Sequence, residues 1–168
     1  MIDETDMSQE IKWFHEERAR TVVNNLVKRN VAAQYVASRE EALTVILGMI
    51  PSGVTVARGD SISVDQIGVI PALIKRGQNK VIDAFERDAD GRFVSPPEKR
   101  QQMHRETFFA DVFLTGTNAI TLDGKLVSTD GYGNRVAATI FGPTRVIIAA
   151  GINKIVEDVD AALKRVHQ

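Results

Sequence analysis

Between Ala110 and Arg135 the chain reads ADVFLTGTNAITLDGKLVSTDGYGNR, and this stretch restricts the possible folds more than any other. A short apolar run, Val112-Phe113-Leu114, stops abruptly at Thr115, Gly116, Thr117 and Asn118. That is the pattern of a buried strand delivering a glycine and polar groups to its carboxyl end. Asp123-Gly124 then sits between two apolar–polar alternations, the signal of a tight hairpin. A second glycine-rich turn, Asp130 to Arg135, leads into the apolar run Val136 to Phe141. Two polar loops therefore flank one hairpin, and in open α/β sheets ligand sites form just beyond strand carboxyl ends. Spacing alone also admits a second reading, in which these are only turns.

Elsewhere helical and strand-like patterns alternate. Ile11 to Lys28 carries apolar residues at helical spacing, and Val31 to Ala37 is predicted as a strand. Ser38 with Glu41 is a capping box opening a helix that Pro51-Ser52-Gly53 ends, and Val54 to Ala57 is a predicted buried strand. Ser63 with Gln66 repeats the capping pattern at the start of a helix reaching Lys75, with a kink or break expected at Pro71. Lys80 to Ala84 is the next predicted strand. Ser95-Pro96-Pro97-Glu98 reads as a serine-capped helix start, the helix running to about Phe109. After the hairpin come a helix from Arg135 to Phe141, a final core strand from Val146 to Ala149 and an amphipathic helix from Val156 to Val166. Arg87 to Pro97 is the longest irregular stretch and the segment expected to be most mobile. The alternation predicts a three-layer α/β sandwich with a mostly parallel sheet and an inserted β-hairpin. At 168 residues it predicts one domain over residues 1–168.

Composition excludes several function classes. A formal net charge of −1 with interspersed signs gives no reason to expect nucleic acid as a partner. With no cysteine the chain can form no disulfide, thiol nucleophile or thiolate-held iron–sulfur cluster of its own. His15, His104 and His167 lack metal-ligand spacing, so no metal site is expected. The acidic, polar first ten residues do not read as a secretory signal, and no apolar run has membrane-spanning length. A cytoplasmic protein without membrane partners is the expectation. Trp13 and Phe14 are expected as a packing face or as a subunit contact in a homo-oligomer, rather than as a stacking platform.

The candidate binding residues are Gly59, Asp60 and Ser61 in one loop, Gly116, Thr117 and Asn118 in a second, and Asp130, Gly131, Gly133, Asn134 and Arg135 in a third. Glycine-rich loops before helix starts offer free N–H groups to anions, and Arg135 could clamp a carboxylate or phosphate. Arg135 stands out, since a cation at a helix start opposes the dipole unless an anion answers it; pairing with Asp130 or Asp60 is the structural alternative. Asn118 reads equally as a turn residue, and Asn134 equally as a helix N-cap. Asp60 and Asp130 are the candidate carboxylate pair, and His104 is expected to face solvent. No catalytic residue follows from these patterns.

Three blocks carry a family resemblance: TGTNAITLDGKLV, then DGYGNRVAATIFGP, then VIIAAGINKIV, preceded by GDSISVDQIG. In this order and spacing the chain resembles the LUD family of lactate-utilization proteins over nearly its whole length. Asp60 stands where that family's loop usually has a second glycine. The resemblance implies a fold of the ribose-isomerase and CoA-transferase-like group. It also implies a subunit or accessory of an L-lactate-oxidizing system, binding a small anionic ligand and working with iron–sulfur protein partners. The wider fold group implies an alternative, a stand-alone enzyme on a phosphorylated, CoA-linked or folate small molecule; that is fold analogy.

Overall fold

The computed structural model describes residues 6–167, and the chain divides into two compact units. Residues 37–116 and 129–150 form the larger, and residues 6–36, 117–128 and 151–167 the smaller. In chain order the elements are α1 (Ser8–Lys28), α2 (Arg39–Met49), β1 (Thr55–Arg58), α3 (Ile62–Ile67), α4 (Val69–Arg76), β2 (Lys80–Ile82) and α5 (Pro97–Glu106). There follow β3 (Val112–Thr115), β4 (Ala119–Thr121), β5 (Leu126–Val127), α6 (Asn134–Ile140), β6 (Arg145–Ile148), β7 (Ile155–Val156) and α7 (Val159–Val166). Short 3₁₀ turns occupy Thr107–Phe109 and Ile152–Lys154.

The larger unit is a three-layer α/β sandwich. Its sheet has the order β2-β1-β3-β6, with every pair parallel. Residue parity assigns the two faces. Val56 and Val81 are register partners, as are Val56 and Val112, and with Leu114 they pack against Ile46, Val64, Ile70 and Leu73 of α2, α3 and α4. The alternate row, Ile82, Ala57, Phe113 and Val146, packs against Met103 of α5 and Ala138 of α6. The central strands β1 and β3 thus bury both faces, as parallel strands between helix layers must. The chain goes from β1 to β2 on one side and returns to β3 on the other, so the order reverses between β1 and β3. Open α/β sheets bind ligands at that switch point.

In the smaller unit the hairpin forms as its sequence requires. Ala119 pairs with Val127 and Ile120 with Leu126 in antiparallel register, and Gly124 takes a φ of 82° in the turn. A Cβ there would also lie 3.1 Å from the backbone of Asn25 and Leu26. The hairpin belongs to a second sheet, β5-β4-β7, whose apolar face (Ile120, Ile155) covers Val22 and Leu26 of α1.

Several elements differ from the sequence expectation. Residues 31–36 pair with no strand: they join the two units, and β-propensity without a sheet edge to receive it yields no strand. The helix break falls at Gly68, not Pro71. Gly68 adopts a left-handed φ of 77°, closing α3 and opening α4. Pro71 then lies in the first turn of α4, where its missing N–H has no intrahelical partner to lose. The cap of α3 is Ser61, which accepts from Val64 N–H at 3.3 Å, rather than Ser63. Helix α5 is preceded by Pro96 with no side-chain cap, so Ser95 does not serve. The last strand is β7 rather than β6, and α7 begins only after Asp158, whose carboxylate caps Ala161 N–H at 2.8 Å. Arg87 to Pro97 carries local order: Arg87 bridges Phe93, and Val94 N–H donates to Glu86 O at 3.0 Å.

Candidate functional site

Strand β1 ends at the switch point with Arg58, only 7% exposed. A buried guanidinium needs partners for its charge and its five donors. It bonds both carboxylate oxygens of Asp65, at 2.6 and 3.2 Å, lies 3.7 Å from Asp83 and 5.6 Å from the Phe85 ring centre. Gly59 follows. Its N–H donates to Leu114 O at 2.8 Å, and an added Cβ would lie 2.8 Å from Thr115 Oγ1, 2.9 Å from Phe113 Cζ and 3.2 Å from Arg135 Cγ. Close approach of β1, β3 and Arg135, rather than an unusual φ, is therefore what glycine permits here. Asp60 is exposed and has no hydrogen-bond or ion-pair partner among the described residues; Ser61 is buried in its capping role.

The third loop closes on the same place. Asp130 Oδ2 accepts from the N–H groups of Arg135 at 2.7 Å and Val136 at 2.9 Å. Asp130 thus answers the start of α6 through the backbone N–H groups of Arg135 and Val136. The Arg135 guanidinium donates to Gly116 O at 3.1 Å and Thr129 O at 2.6 Å. It ties the end of β3 to the loop before α6. Gly133, with φ of 77°, is the residue preceding α6, so Asn134 is not its cap. Gly131 is exposed beside it.

Asn134 instead turns its amide to His104, Nδ2 to Nδ1 at 3.2 Å. His104 is half-buried rather than solvent-facing, its ring centre 5.1 Å from that of Phe85. An amide nitrogen can only donate, so Nδ1 accepts and the neutral ring carries its proton on Nε2. Burial foremost, then the Arg100 charge, lowers the His104 pKa below 6.5, against a smaller opposing pull from Asp130. The ring is therefore a neutral Nε2–H donor at pH 7, with no partner for that donor among the described residues. The sequence did not single out Asp83, Phe85 or Arg100, and His104 was expected on the solvent side. The available signals were Asp83 and Phe85 just beyond the apolar end of β2, and the i, i+4 spacing of Arg100 and His104 on α5.

Thr117 and Asn118 belong to the smaller unit. Thr117 Oγ1 meets Val127 O at 2.9 Å and Ser128 Oγ at 3.0 Å; Asn118 N–H donates to Val127 O at 3.1 Å, and its carbonyl accepts from Arg165 Nε at 3.1 Å. In the same unit Trp13 and Phe14 are exposed, so neither is a packing face within it. A shallow recess of about 190 Å³ between β2 and α5 is lined by Ile82, Lys99, Gln102, Met103 and Glu106, on a different face of α5 from Arg100 and His104. Among the described residues no group of three or more His, Asp or Glu side chains is placed to hold a metal, and no helix is long and apolar enough to cross a membrane.

The larger unit is thus a parallel α/β sandwich with polar groups gathered at its switch point. The LUD domain family model matches residues 19–168, and the chain belongs to the LUD family. No curated protein and no solved structure matches it.

Proposed function

We propose that this chain is a lactate-utilization protein, a subunit or accessory of an L-lactate-oxidizing system that binds a small anionic ligand and docks an iron–sulfur protein partner. The observation that carries the reading is LUD-family membership over residues 19–168. Oxidation of L-lactate to pyruvate releases two electrons and two protons. A cysteine-free chain cannot hold a thiolate cluster to receive those electrons, so such a carrier would sit on a partner. Support for docking comes from the larger unit, where Phe109, Ile140 and Phe141 are 89, 78 and 84% exposed. Gly142 brings their two segments together, since a Cβ on it would lie 3.0 Å from the Phe108 ring. Aromatic and aliphatic clusters of this kind mark interaction surfaces.

Deletion of the gene should abolish growth on L-lactate as sole carbon source while leaving growth on pyruvate intact. Wild type should restore growth, and a Phe109→Ser, Ile140→Ser, Phe141→Ser chain that folds normally should not. Unchanged growth of the deletion strain on L-lactate would overturn the reading. The alternative, a stand-alone enzyme on a phosphorylated, CoA-linked or folate substrate, is favoured by one observation, the uncommitted Nε2 of His104. Turnover of such a substrate by the isolated chain would establish it.

A further inference from the structure

Among the described residues one half-buried guanidinium has no acceptor. Arg100 lies in the first turns of α5, its Nε is buried with no hydrogen-bond partner, and among the described residues no carboxylate or carbonyl receives its guanidinium. Its contact is the face of Phe93, 3.6 Å from the ring centre, and Arg87 lies 3.9 Å from the same ring. A cation–π contact compensates part of the charge and none of the N–H donors. Arg58 and Arg135, by contrast, spend their donors on Asp65, Gly116 O and Thr129 O.

One helical turn beyond Arg100, on the same face, is His104. Its ring is held between Phe85 and the Asn134 amide, and its Nε2–H is uncommitted. A charged fork and a neutral donor thus share one face of α5, beside the loop that leaves the carboxyl end of β2. The charged groups acting on His104 are Arg100 from its own helix and Asp130 from the loop before α6. We infer that Arg100 and His104 together form an oxyanion-binding site, the guanidinium taking two oxygens of a small carboxylate or phosphoryl group and His104 Nε2–H donating to a neighbouring ligand oxygen. The inference deepens the small-anion part of the proposed function and moves the anion clamp from Arg135, whose guanidinium is engaged by backbone, to Arg100. Planar bidentate recognition is what distinguishes arginine from lysine at such a site. Holding the ring neutral serves this purpose, because a fixed donor binds an oxyanion without first taking up a proton.

The His104 ring signals, assigned by their loss in His104→Gln, report on the site directly. L-lactate and inorganic phosphate are titrated separately against the full chain, with ring nitrogen shifts giving the tautomer and pKa. At least one probe is expected to shift the His104 signals saturably and to raise the His104 pKa, since a bound anion favours the imidazolium. Arg100→Gln should weaken that binding about ten- to a hundredfold, the range of a lost charge-assisted pair. Arg100→Lys, which keeps the charge and serves if the Gln variant fails to fold, should weaken it less. A response to L-lactate alone identifies a carboxylate site. Response to phosphate alone identifies a phosphoryl site and takes lactate out of it, while the growth experiment decides lactate utilization separately. No saturable shift with either probe, unchanged affinity in Arg100→Lys and Arg100→Gln, or a neutral ring protonated on Nδ1 would each overturn the inference.

Discussion

Gly59→Ala tests whether the switch point is packed as tightly as the distances state. The new methyl would sit 2.8 Å from Thr115 Oγ1 and 2.9 Å from Phe113 Cζ, both inside the distance real Cβ atoms keep. Neither neighbour has room to retreat: Thr115 and Phe113 are 0 and 1% exposed, on a strand bonded to β1 and β6 on either side. Arg135 Cγ, at 3.2 Å, can give by a few tenths of an ångström only by straining the bonds from its guanidinium to Gly116 O and Thr129 O. Overpacking of this kind costs about 1–3 kcal/mol. Gly59 is not among the positive-φ glycines, so alanine also restricts the unfolded chain, offsetting about 0.4–1 kcal/mol. The net loss of about 1–2 kcal/mol corresponds, for a chain of this size, to a melting temperature lower by roughly 2–8 °C. Gly48→Ala is the internal control: it lies within α2 with nothing within 4 Å of a new Cβ, and should be neutral or stabilising. Thermal and urea unfolding of both variants beside wild type, at equal denaturant slope, provide the measurement. A Gly59→Ala protein as stable as wild type would refute the packing argument, and with it the claim that β1, β3 and Arg135 meet there.

Arg135→Ala should lower stability by about 1.5–3 kcal/mol, the worth of charged hydrogen bonds, with Lys restoring part; an unchanged melting temperature would show those bonds contribute nothing. Ser61→Ala removes the cap of α3 and should cost about 0.5–2 kcal/mol in thermal melts, and an unchanged melting temperature would show that the cap contributes nothing. For His104, a pKa lowered in the fold means the unfolded chain binds the extra proton first. Stability should therefore fall as pH drops below 6.5, and this contribution should level off below the folded value. His104→Gln should flatten that segment of the stability–pH curve, and a curve identical to wild type would exclude His104 as its source.

Wherever a local rule and its consequence lie within a few residues, the chain could be read directly. Asp123-Gly124 specifies its hairpin because the turn alone needs a positive φ, and Ser38 with Glu41 starts α2 because both bonds close within one turn. The parity of Val56, Ala57, Val112 and Phe113 decides which apolar rows meet which helix layer once strands and helices alternate. What an apolar segment pairs with is not a local property. Residues 31–36 and β7 have comparable β-forming character, and only β7 finds a sheet edge. The break at Gly68 is of the same kind: Pro71 signals a stop, but a proline in a first turn loses no bond, and only the packed positions of α3 and α4 place it there. Charges depend most on the tertiary structure. Arg135 beside a helix start calls for an anion, and only three-dimensional placement decides that Asp130 and two backbone carbonyls answer it. The same placement leaves Arg100 with an aromatic ring and no acceptor, and gives His104 its amide partner thirty residues along the chain. Hydrogen-bond and charge partners are chosen by proximity after folding, and proximity between distant residues is the quantity a linear sequence does not carry.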